Sequence, residues 1–217
     1  MPASSPTSDT RARLLEAALL LFRQRGFHGV GVNEILNRAR APKGSLYHHF
    51  PGGKTELAVA VVRGIEAGLR KLIETDASPS TAGLLRRVGA QVLKWMRRTG
   101  GDANALLASF AAEGATDPAL RDAVGAAYGA TAKLLEARLR RDGCTLAQAR
   151  ERAWLVLMLF EGAGLVSHAR AKPALFASAV EHAARLCETR PSVASHSVRS
   201  TPKPKRSAPC PAPKTWP

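Results

Sequence analysis

Residues 41–57, APKGSLYHHFPGGKTEL, constrain the fold more than any other stretch of the chain. They predict a short helix ending at Tyr47-His48-His49-Phe50, a break at Pro51-Gly52-Gly53, and a second helix opening at Lys54. Just upstream, Val32 to Arg38 predicts another short helix, joined through Ala39-Arg40-Ala41. Two short helices across a three-residue turn make a helix-turn-helix, whose second helix is narrow enough for a DNA major groove. Pro42 suits the first turn of that second helix, where its missing N–H costs nothing. Leu46 and Phe50, four apart, form its inner face and leave Lys43, Ser45, Tyr47 and His48 outward.

The chain on either side reads as helix throughout. Residues 1–8 are small and polar and are expected to be disordered. Ser8 or Asp9 can cap a first helix, in which Leu15, Ala18, Leu19 and Phe22 repeat at helical spacing, with Leu14 and Leu21 widening the stripe. Gly26 ends that helix. Lys54 to about Thr75 is a long helix, and Pro79 lies in the break that follows. Further helices are predicted over Thr81–Arg98, Ala103–Ala112, Asp117–Arg141, Thr145–Ala169 and Pro173–Glu188, with Thr116-Asp117-Pro118 and Thr145 as start signals. No segment alternates with period two, so the fold class is all-α with nine helices, three or four of them in an N-terminal head and the rest in a bundle. Residues 190–217, rich in Pro, Ser and Lys without apolar periodicity, read as a disordered tail.

Charge narrows the partner. The net charge is +15, which points to a polyanion. Residues 1–72 hold 11 Lys and Arg against 5 Asp and Glu, whereas residues 73–189 hold 15 against 12. The last 28 residues hold 6 and no acid, so basicity sits in the head and the tail. No apolar run approaches the roughly 20 residues of a membrane helix. The N-terminus has no signal-peptide pattern, so a cytoplasmic location and no membrane partner are expected. Cys144, Cys187 and Cys210 show no metal or disulfide spacing. His48 and His49 diverge by about 100° on a helix, with no third ligand nearby, so no metal is expected. A phosphate loop, a nucleophile elbow and HExxH are all missing, so neither enzyme activity nor a cofactor is expected.

Leu14-Leu15, Ala17-Ala18, Leu21-Phe22, Gly26-Phe27, Ile35, the run Lys43 to Phe50, Lys54 and Leu57 together resemble the N-terminal DNA-binding domain of the TetR family of bacterial regulators. The Phe50-Pro51-Gly52-Gly53-Lys54 junction is similar to the LmrA/YxaF-like branch. Two positions depart from the family pattern. Arg40 stands where the turn usually has Gly, and Gly31 stands where Thr or Ser usually caps the first motif helix, giving a weaker cap.

The resemblance implies a DNA-binding domain over residues 9–53, a connecting helix over 54–75, and a ligand-binding and dimerisation domain over 76–189. It also implies a homodimeric repressor, released from a palindromic operator on double-stranded DNA by a small hydrophobic effector. The expected DNA-binding residues are Lys43, Gly44, Ser45, Tyr47 and His48, with Lys54 on a phosphate and Thr55 assisting. Arg40 is open between a phosphate contact and simple exposure. Trp95, Met96, Phe110, Tyr128, Trp154, Met158 and Phe160 are the large side chains expected around an effector pocket, with Glu161 and His168 as its polar groups. The alternative for the aromatics is ordinary core packing. Ala153 to Phe160 is apolar around its whole circumference, which predicts burial by its own bundle on one side and by a partner on the other, the alternative being the central helix of a monomeric bundle. The rival functions are non-specific DNA binding through charge alone, and regulation without a ligand or as an activator.

Overall fold

A computed structural model describes residues 6–98, 106–113 and 117–188, and among these it contains nine α-helices and no strand. Helix α1 (Pro6–Arg25) is followed by α2 (Val32–Ala39) and α3 (Ser45–His49), the helix-turn-helix pair. The long α4 (Gly53–Thr75) leads into α5 (Thr81–Arg98), α6 (Leu106–Glu113), α7 (Pro118–Arg141), α8 (Leu146–Ala169) and α9 (Pro173–Cys187). The expected tail, 190–217, lies outside the described residues.

Several helix ends have visible causes. Helix α1 opens at Pro6, two residues before the caps expected from sequence, and Asp9 falls in its first turn, paired with Arg13 at 3.3 Å. Gly26 ends it with φ 71°, a conformation glycine adopts without steric cost. Gly31 caps α2 with backbone alone. Glu34 supplies half of a capping box by accepting the Gly31 N–H at 3.0 Å, while its other oxygen pairs with Arg25. These two contacts hold the Glu34 carboxyl below its usual range. Asp117 caps α7 through the Leu120 N–H, and Thr145 forms a reciprocal capping box with Gln148 at the start of α8.

The buried face of α1 is turned slightly from the expected stripe. Leu14, Ala17, Ala18, Leu21 and Phe22 are buried, while Leu15 and Leu19 are half-buried. The reason is what α1 packs against. The head core contains Ile35, Leu36, Leu46, Phe50, Leu57 and Val61, and it also takes Leu107 and Phe110 from α6 and Leu120, Val124 and Ala127 from α7. The Phe22 and Phe110 rings meet edge to face with centroids 5.6 Å apart. The head therefore has no closed core of its own. It shares one with the body.

The body's second core runs from Ile73 through Leu84, Leu135, Leu139 and Val156 to Ala184 and Cys187. Around it, α7 packs on α4 and α8, while α9 packs on α5 and α8. The turn between α4 and α5 is held by one buried guanidinium. Arg138 on α7 donates to the carbonyls of Ile73, Asp76 and Ser78 at 3.0, 3.3 and 2.8 Å, and lies 3.7 Å from the Asp76 carboxylate. Burial pushes the Asp76 carboxyl up, but hydrogen bonds from Ser78 and the charges of Arg87 and Arg138 bring it below its usual value. Asp142 closes the same corner by accepting the Thr81 N–H at 2.6 Å.

Replacing Arg138 with Ala leaves three carbonyls and a buried carboxylate without their shared donor. The expected loss is about 3 kcal/mol in urea unfolding. A loss under about 1 kcal/mol would show that water replaces the guanidinium at this corner.

Candidate nucleic-acid interface and body interior

The α2–α3 turn begins with backbone strain. Arg40 has φ 48° and ψ 45°, the left-handed conformation usually left to Gly or Asn at a helix end, and its N–H bonds the Asn37 and Leu36 carbonyls. The Arg40 carbonyl lies 3.5 Å from the Arg13 guanidinium, while the Arg40 side chain is exposed. Pro42, Lys43 and Gly44 form a turn closed by the Ser45 N–H on the Pro42 carbonyl at 2.9 Å. Helix α3 thus starts at Ser45, three residues later than Pro42 suggested. A single helical turn anchored at both ends by a buried side chain remains, with Leu46 and Phe50 facing inward.

On the outside, Lys43, Gly44, Tyr47 and His48 are exposed and Ser45 is half-buried. Tyr47 is 59% exposed, although its ring edge passes 3.5 Å from where a side chain on Gly53 would begin. Gly53 has φ 69°, so the junction needs glycine for its backbone, while a Cβ there would make only an ordinary contact with the ring. His48 and His49 stack edge to face at 4.9 Å. A Cβ on Gly44 would meet nothing within 4 Å, which leaves the approach to its backbone open.

Two residues expected at the DNA are occupied inside the protein. The Lys54 ammonium donates to the Phe27 and Val30 carbonyls, both at 3.0 Å, and lies 4.3 Å from the centre of the Phe27 ring. It fastens the α1–α2 loop to the start of α4, so its charge is satisfied on the protein side. The Thr55 hydroxyl donates to Asp117 at 2.8 Å, joining α4 to the cap of α7. The sequence does not show these bonds because each partner lies far along the chain, 24 to 62 residues away.

Of the nine side chains expected around one effector pocket, the eight described do not meet in one place. Phe110 fills the head core beside Phe22, a correction that follows from α6 packing on α1. Met96 and Phe160 join Phe176 and Val180 in a separate small cluster, where the Phe160 and Phe176 rings meet at 5.5 Å. Trp154 and Met158 are 46% and 59% exposed on the outside of α8, and His168 is exposed near its end. The Trp95 side chain lies outside the described residues. The remaining pair, Tyr128 and Glu161, does come together: the hydroxyl lies near the carboxyl and favours its ionised form. The same carboxylate accepts the Ala108 N–H in the first turn of α6 at 3.2 Å. Burial pushes the Glu161 carboxyl up despite these two neighbours, and it pushes the Tyr128 hydroxyl up as well.

Ala153–Phe160 is less uniformly covered than its composition suggested. Ala153 and Val156 face the bundle, while Trp154, Met158, Leu165 and Val166 line the open side of α8. Leu175 and Leu186 continue this face on α9, beside a shallow groove of ≈ 610 Å³ that also involves Leu159, Ala179 and His182. Among the described residues no helix is long and apolar enough to cross a membrane, and no group of three or more His, Cys, Asp or Glu could hold a metal.

Two measurements follow from these positions. Arg40→Gly relieves the left-handed strain and should raise unfolding stability by roughly 0.5–1 kcal/mol, the gain being offset in part by the freer unfolded chain. A loss of stability instead would mean that the Arg40 stem packs usefully on the head. Glu161→Gln keeps an acceptor for Tyr128 and Ala108 but removes a charge whose folded-state pKa is raised. The ionised form therefore costs stability at neutral pH, and the variant should be more stable there. That advantage should shrink as pH falls through the raised value and vanish near the ordinary 4.5. Equal stabilities across that whole range would remove the burial argument.

Comparison with known proteins places this geometry. The family described as "Bacterial regulatory proteins, tetR family" matches residues 14–61, and the "Transcriptional regulator LmrA/YxaF-like, C-terminal domain" matches residues 81–182. The HTH-type transcriptional regulator LmrA of Bacillus subtilis is 34% identical over 165 residues, covering 73% of this chain and 86% of that protein. YxaF of the same organism, an HTH-type transcriptional regulator, is 41% identical over 73 residues, covering 34% of this chain and 38% of its own length. The crystal structure of a regulatory protein TetR from Rhodobacter sphaeroides shares the fold with a TM-score of 0.70 at 24% identity, over 81% of this chain and 97% of that one. These relatives are regulators rather than enzymes. With a helix-turn-helix head joined to a helical body that matches over most of its length, the chain belongs to the TetR family of DNA-binding transcriptional regulators.

Proposed function

We propose that this protein is a homodimeric, cytoplasmic repressor that reads a palindromic operator and leaves it when a small, largely apolar effector binds the body. The observation that carries the DNA reading is the outer face of the helix-turn-helix, where Lys43, Gly44, Tyr47 and His48 are open to solvent on a turn fixed from beneath by Leu46 and Phe50. In this reading Tyr47, His48 and Ser45 meet bases or phosphates in the major groove, and Lys43 and Arg40 meet phosphates. Lys54 and Thr55 position the head and leave the contacts to those residues.

Dimerisation is supported by the apolar face on α8 and α9. Trp154, Met158, Leu165 and Val166 repeat along one side of a helix, and exposed apolar surface of that kind marks an interface. A lone α3 of five residues reads few base pairs, so two copies related by a two-fold axis supply the rest.

Effector control is a two-state shift in this account. The effector binds better to the form whose recognition helices are misplaced for successive major grooves, so affinity for DNA falls by the same coupling factor. The contacts of α6 support a route for it, because one turn carries Phe110 into the head core and the Ala108 N–H to Glu161. The domain boundaries at residues 53 and 75 mark functional units, although the head core also takes side chains from α6 and α7.

The test is selection of binding sites from random duplexes at physiological salt, repeated with Tyr47→Ala. The expected result is a palindrome with half-sites about one helical turn apart, with affinity for it reduced at least tenfold in the variant. Binding with no enriched sequence would replace this reading with charge-driven, non-specific association.

A further inference from the structure

Lys54, the expected phosphate contact beside the end of α3, donates to the Phe27 and Val30 carbonyls in this structure. The structure offers another. Arg11, in the second turn of α1, is exposed, and its guanidinium carbon lies 5.2 Å from the centre of the Phe50 ring. Phe50 is 1% exposed and caps α3, so the guanidinium covers the outer side of the residue that anchors the recognition helix. The position is therefore fixed relative to Tyr47 and His48 by an aromatic face rather than by an ion pair. Among the described residues Arg11 pairs with no carboxylate. Glu56, which shares its groove, bonds the Gly52 N–H at 2.7 Å.

We propose that Arg11 supplies a DNA-phosphate contact at the C-terminal end of the recognition helix. The chemistry suits the task. A guanidinium lying over a ring keeps N–H groups free at its edge, and these can meet two phosphate oxygens at once. Arg63, on the far side of the same groove, extends the positive rim away from α3 along α4. This inference rests on the DNA-binding reading above but not on the operator, because a phosphate contact is independent of sequence.

The experiment measures affinity of the full chain for a random-sequence duplex across a salt series, comparing wild type with Arg11→Ala, Arg11→Gln and Arg11→Lys. Gln keeps a polar stem over Phe50 without charge, and Lys keeps charge without the planar group. The expected result is a several-fold loss for Ala and Gln, with the slope of log K against log salt shallower by about one. Lys should retain the slope while binding more weakly than Arg. The melting temperatures of Gln and Lys should match wild type, which separates the contact from a folding effect. Wild-type affinity and slope in both Ala and Gln would overturn the inference. The two readings fail separately: site selection without an enriched palindrome removes the specific regulator, while an unchanged slope removes only Arg11.

Discussion

The packing of Phe22 against Phe110 is the contact on which the rest of the arrangement depends. A head of one long helix, two short ones and the start of a fourth has too little apolar surface to close a core alone. Here the deficit is met by α6 and α7, which insert Leu107, Phe110, Leu120 and Val124 beneath α1 and α4. The dispersion and hydrophobic terms that stabilise the head thus require the body to be in place. A change in the position of α6 is felt in the head as a change in packing, because close-packed interiors do not deform continuously.

Polar contacts reinforce the same join. Thr55 on α4 bonds Asp117, and Asp117 also caps α7, so one carboxylate fixes both the helix start and the connecting helix. Lys54 does the equivalent work between α4 and the α1–α2 loop. On the other side, Glu161 reaches from α8 to the first turn of α6 and to Tyr128. A half-buried carboxyl with no cation among those partners has its ionised form disfavoured. Its contacts are consequently sensitive to whatever neutralises or solvates it.

The family signature and the helices were legible because they are local. Gly26, Asp117-Pro118 and Thr145 each act within one turn of their own position, and the structure uses them as helix ends. Lys43, Tyr47 and His48 are exposed as the i, i+4 spacing of Leu46 and Phe50 required. The roles of Lys54, Thr55 and Phe110 were not legible. Residue type describes what a side chain can do, and a lysine at a helix start near DNA can equally bond two carbonyls 24 and 27 residues away. For large apolar residues the ambiguity is greater, since Phe110, Phe160 and Trp154 have similar chemistry but occupy the head core, a body cluster and the surface.

The sequence by itself determined the all-helical class, the turn that presents α3, and the basic balance of the DNA-binding end, because periodicity, capping and charge are properties of neighbouring residues. Only the tertiary structure decided that the head and body share one core, that Lys54 and Thr55 face inward, and that Arg11 lies over Phe50. Those outcomes depend on which distant surfaces come within contact distance. Burial and hydrogen bonding are settled there, between segments that no local pattern connects.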